Sequence, residues 1–124
     1  MLANQPTSHN KILCSDVTQL IERLETFEER TGVRLEALFA HISHIGDELV
    51  ILHVKGEMHP REGATIKQDV VVHVDAYDSS GRLVANGYGF IPDADKFFGF
   101  EAFDAEAHLP VRGLSNIRVY PKLA

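Results

Sequence analysis

Cysteine is almost missing from this chain: Cys14 stands alone among 124 residues, so no disulfide can form within it. A lone thiol suits a reducing compartment, and the core must hold without covalent staples. Basic residues are few, twelve Lys and Arg against eighteen Asp and Glu, and they are scattered singly. The resulting net charge of −6 argues against a nucleic-acid partner, because phosphate-backbone binders gather their cations on one face. No apolar run approaches the roughly twenty residues of a membrane span. The opening MLANQPTSHNKILCSDVTQL lacks a basic stretch followed by an apolar one, so it does not read as a secretory leader. The expected compartment is the cytoplasm, with export only where a leader once preceded this N-terminus.

What is present describes an ordinary globular domain. The hydrophobic and charged fractions are 44% and 24%, and a chain of this length can bury about two-thirds of its unfolded surface. Residues 1–14 are polar, contain Pro6 and read as a flexible segment; residues 15–124 read as one domain. Val17, Leu20, Ile21, Leu24 and Phe27 recur at the spacing of one helical stripe, with Ser15 or Asp16 as N-cap and Gly32 as stop, which predicts a helix over 16–31. The stretch 33–45 fits either helix or strand. The Gly46-Asp47 turn and the alternation that follows it favour a hairpin, with Val50, Leu52, Val54 and Met58 on one face and His53, Lys55 and Glu57 on the other.

The clearest local signal is Val70–Gly89, VVVHVDAYDSSGRLVANGYG. Val70, Val72, Val74 and Ala76 face one way and His73, Asp75 and Tyr77 the other, and Asp78-Ser79-Ser80-Gly81 has the residues of a type I turn. On the return strand Leu83 and Ala85 share one face, while Val84, Asn86, Tyr88 and Phe90 take the other. Gly87 and Gly89 suggest a bulge or a close backbone approach. Phe97, Phe98, Phe100 and Phe103 alternate as a further strand, either covered on both faces or exposed as an association surface. Leu114–Tyr120 is a last strand that Pro121 closes. The expected fold is mainly β, an antiparallel β-sandwich of six to seven strands preceded by one amphipathic helix.

The hairpin resembles the FxLYD domain, a bacterial immunoglobulin-like module. The likeness lies in Tyr77, Asp78, Gly81, Leu83 and Val84: an alternating strand, Tyr-Asp, a small-residue turn ending in Gly, and a strand opening on an apolar pair. The aromatic KFFGFEAFDAE is similar in placement, and the likeness runs from about residue 48 onward. Ala76 replaces the family's Leu, and Val74 and Asp75 depart from its Phe spacing. The resemblance implies an immunoglobulin-like sandwich with an interaction or accessory role, in a family commonly exported, and it carries over no catalytic residue.

Candidate chemistry is sparse. His41 and His44 could chelate together on a helix but would point to opposite faces of a strand. His53, His73 and Asp75 form a candidate mixed metal site if their strands are neighbours. Asp93, Asp95 and Asp104 are of the right type for calcium but lack its loop spacing. Ser79-Ser80-Gly81 is not a nucleophile elbow, Cys14 lies in the segment read as flexible, and Glu28-Glu29 read as a solvated helix surface. The expectation is therefore a non-enzymatic module without a cofactor. Its partner is another protein or a second copy of itself, contacted through Tyr77, Tyr88, Phe97 and Phe103. The alternative is a small-ligand or metal-binding domain using the histidines and carboxylates of one sheet face.

Overall fold

The computed structural model describes residues 12–46, 49–89, 91–110 and 113–124. The expectations for residues 1–11, for Asp47 in the Gly46-Asp47 turn and for the face taken by Phe90 lie outside them. Eight strands are found among the described residues: β1 Ile12–Asp16, β2 Ile21–Arg23, β3 Val33–Ile45, β4 Leu49–Pro60, β5 Val70–Tyr77, β6 Leu83–Gly89, β7 Glu101–Leu109 and β8 Asn116–Leu123. One helix, α1 Glu25–Thr31, interrupts them. No helix among the described residues is long and apolar enough to cross a membrane.

The fold is mainly β, but the strands form one sheet in the order β1-β3-β4-β7-β6-β5-β8-β2, curled into a half-barrel. This corrects the expectation of six to seven strands in a two-sheet sandwich. The two halves are joined where β6 meets β7, and among the described residues that ladder holds one pair, Gly89↔Ala105. A Cβ added at Gly87 would stand 1.9 Å from the Glu106 carbonyl oxygen, so the two backbones meet more closely than any side chain permits. The inward residues of both halves fill one core, with Leu35, Leu52, Val54 and Phe103 from one and Val72, Val74, Ile117 and Val119 from the other.

Both expected hairpins form, but each carries a bulge that breaks the expected alternation. In β5–β6 the register shifts between Ala76 and Tyr77, so Leu83 pairs with Tyr77 and is exposed instead of sharing a face with Ala85. β3 and β4 pair antiparallel from Val33↔Pro60 to Ile45↔Leu49, and Val50, Leu52, Val54 and Met58 are buried. The pattern in β3 changes phase at a bulge where Ala37 and Leu38 oppose Gly56, with Ala37 at φ 55°. Val33 and Leu35 point inward before it and Ala40 after it, which leaves Ala37 and Phe39 exposed. In the β5–β6 turn, the Asp78 carboxylate accepts from the backbone N–H groups of Ser80 and Arg82, while Gly81 takes φ 83°. β8 runs on through Pro121, which is buried. Since β2 flanks β8 only as far as Val119, the missing proline N–H leaves no ladder bond unmade there.

Of the expected helix over 16–31 only Glu25–Thr31 is α-helical, and it stops on Gly32 at φ 78° as expected. Thr18–Leu20 is a single 3₁₀ turn, and Asp16 and Ile21–Arg23 lie in strands. Ile12–Cys14, read as part of a free segment, lie in β1 against β3. Thr18 exchanges hydrogen bonds with Ala40, its hydroxyl accepting from the Ala40 N–H at 3.0 Å and donating to the Ala40 carbonyl at 3.3 Å. Ile21–Arg23 then add to β8 in parallel. Val17, Leu20 and Ile21 still pack on the core, as their apolar stripe requires. β-Branched Val17, Thr18 and Ile21 are poor helix formers, and tertiary pairing with two open sheet edges outweighs their weak local preference. The segment thereby covers both edges of the sheet with short strands, which protects them from pairing with other chains.

Candidate functional site

β5, flanked by β6 and β8, sets three rings in a row on the face turned away from the core. His73 pairs with Tyr88 on one side and Tyr120 on the other. The inward alternation of Val72 and Val74 forces His73 outward, and Val119 does the same for Tyr120. The His73 ring stacks on Tyr120 with centroids 5.5 Å apart and planes 13° apart, and it lies 5.9 Å from Tyr88. The Tyr120 hydroxyl donates to Asp75 Oδ2 at 2.7 Å, and Phe27 of α1 packs on its ring at 4.9 Å. Tyr88 is 70% exposed.

The next row is Asn86, Asp75 and Arg118. The Arg118 guanidinium lies over the Tyr77 ring at 5.0 Å and its Nε donates to Glu22 at 3.3 Å. Burial, reinforced by the hydrogen bond to Asp75, pushes the Tyr120 phenol up to about 12. Burial also pulls His73 below the ordinary histidine value, helped by Lys122. The set thus offers ring faces and fixed hydrogen-bonding atoms.

The structure separates the predicted metal residues. His53 lies on β4, while His73 and Asp75 lie on β5, with β7 and β6 between them. Three strand steps amount to roughly 14 Å at the usual spacing, too far to share one ion. His53 instead stacks on His41 at 4.6 Å and lies 3.7 Å from Glu106. His41 pairs with His53 outside, whereas His44 pairs with buried Val50, so the H-x-x-H pair is split across the sheet as a strand requires. Asp93 and Asp95 flank and enter a short 3₁₀ turn, Ala94–Lys96, beside an open depression that also holds Asp69; Asp104 lies on β7 instead.

The predicted contact residues divide. Tyr88 is exposed and Tyr77 half-buried beneath Arg118. Phe97 and Phe103 are core residues at 2% and 4% exposure and serve no contact; Phe103 sits against Gly56, where a Cβ would approach its ring to 2.9 Å. β7 begins at Glu101, so Phe97–Phe100 precede the strand, and the exposed rings there are Phe98 and Phe100. Sequence reasoning missed the part played by Tyr120, although its outward place in the last strand was readable. Comparison with protein-family models, with characterised proteins and with solved structures finds no match to this chain.

Proposed function

We propose that this protein is a non-enzymatic interaction module that associates with a second copy of itself through the outer face of β5, β6 and β8. The observation that carries the reading is Tyr88: a large ring, 70% exposed, aligned with His73 and Tyr120 on a braced surface. Tyrosines in such positions supply contact area at little entropic cost and recur at interface centres. Charge favours a like partner at this face. The chain carries −6 and repels its own kind, but Glu22 and Asp75 here balance Arg118 and Lys122. Both signs are present on this face, so a copy related by a two-fold axis can meet complementary charge.

Burial keeps Tyr120 as the phenol and biases His73 toward the neutral ring, so neither of these two rings brings charge to the contact. The immunoglobulin-like relation suggested by Tyr77-Asp78 and Gly81 belongs to the same reading, as an accessory module built around this hairpin. Sedimentation velocity over rising concentration tests it. The expected result is self-association that weakens at least about tenfold in Tyr88→Ala. A wild-type chain that stays monomeric to about 1 mM, where an interface is worth only ~4 kcal/mol, overturns it.

A further inference from the structure

The other half of the sheet carries a second outward cluster that the association face does not use. The register sets Asp16, His41, His53 and Glu106 in one row across β1, β3, β4 and β7, with Lys55 and Asp104 paired in the adjacent row. Buried Val54 and Ala105 alternate with them, which turns His53, Asp104 and Glu106 to the same side. One donor atom from each of these three lies within 4.8 Å of the others. The His53 side chain is only 18% exposed, its ring covered by that of His41 with planes 10° apart. His53 Nδ1 is 3.7 Å from Glu106 Oε2, too long for a hydrogen bond, so this contact is open rather than closed. His41 Nδ1 beside it is buried without a hydrogen-bond partner, and such an atom is ordinarily satisfied by protein, held water or an ion.

We propose that His53, Asp104 and Glu106 bind a divalent transition-metal ion of the zinc class. One imidazole nitrogen with two carboxylate oxygens suits zinc, whereas calcium takes six to eight oxygens and no nitrogen. Bonds of about 2.1 Å place tetrahedral ligands roughly 3.4 Å apart. The donors must therefore draw together by about an ångström, which Asp104 and Glu106, at 52% and 53% exposure, can do by side-chain rotation alone. His41 braces the imidazole by stacking. Lys55 Nζ, 4.0 Å from Asp104, is the cation that an arriving metal displaces.

Calorimetric titration of the chelator-treated full chain with Zn²⁺ tests this, alongside Ca²⁺. The expected result is one Zn²⁺ per chain and no calcium binding. Affinity should fall at least about tenfold in His53→Ala and in Asp104→Asn/Glu106→Gln, hold in His73→Ala and rise in Lys55→Met. The carboxylate variant alters only half-exposed side chains, so it reports on the site even if His53→Ala unfolds. Failure to bind Zn²⁺ at about 100 μM, a weak ~5.5 kcal/mol by affinity arithmetic, overturns the proposal. So does binding that survives the carboxylate variant, since another of the seven histidines then holds the ion.

Discussion

Glu28 is a carboxylate at 1% exposure, and its place in the fold depends on what surrounds it. Arg23 donates to it through Nη2 at 2.7 Å and Nε at 3.2 Å, and the Leu35 N–H donates at 3.1 Å. One side chain thus ties β2, α1 and β3 together. Glu28→Ala leaves a buried N–H and a half-covered guanidinium without a partner, at a cost of about 3 kcal/mol. The expected drop in Tm is roughly 10 °C for a domain of this size; a change within a degree or two contradicts the role. Tyr120 and His73 set opposite pH limits. The Tyr120 phenol is raised from 10.0 to about 12, so its contribution to stability is complete below pH 10 and lost as pH climbs through about 12. An ultraviolet titration should show a phenol ionising near 12 that vanishes in Tyr120→Phe. His73 is lowered from 6.5, so its contribution is present above that pH and lost as pH falls through its folded value. An NMR titration of its ring should give a midpoint below 6.5; one at or above 6.5 refutes the burial described.

Among the elements, the β6–β7 joint is the most exacting. Gly87→Ala forces a Cβ onto the Glu106 carbonyl oxygen at 1.9 Å, whereas Gly89→Ala meets the Asp104 carbonyl oxygen at 3.2 Å. The first should cost about 3 kcal/mol or more and the second nearer 1, because backbone cannot step aside as a side chain can. Urea midpoints of the two variants decide it, and equal losses contradict the joint. The glycines were legible as a close approach, since two bare positions in a strand have few other uses, but nothing local shows that β7 is the strand that approaches. The same limit explains the other misses. The β3 bulge changes phase by one residue, so Phe39, aligned with Val33 in sequence, ends outside. The apolar stripe of Val17, Leu20, Ile21, Leu24 and Phe27 has helical spacing, yet hydrogen bonds to Ala40 and pairing with β8 lie far off in sequence. The hairpins were readable because turn and alternation are local. The site was readable only in part: His73 and Tyr88 face outward by alternation, but pairing His53 with Glu106 rather than His73 depends on strand order.

At the scale of the whole molecule, the curl of one sheet gives the protein two outer surfaces of different character. One carries the charged cluster around His53 and Glu106; the other carries the row of rings Tyr88, His73 and Tyr120. An acidic protein is dispersed by its net charge, and the exposed ring of Tyr88 lies in a row where Arg118 and Lys122 stand close by. Phe39, Phe98 and Phe100 are exposed as well, at 42%, 75% and 51%, and offer competing surfaces. Aromatic NMR spectra recorded over a dilution series tell them apart. The expected result is that the ring signals of His73, Tyr88 and Tyr120 shift together with concentration in the wild type, and that those of His73 and Tyr120 cease to shift in Tyr88→Ala. Movement of Phe39, Phe98 or Phe100 while those three stay fixed places the contact elsewhere and contradicts the central claim.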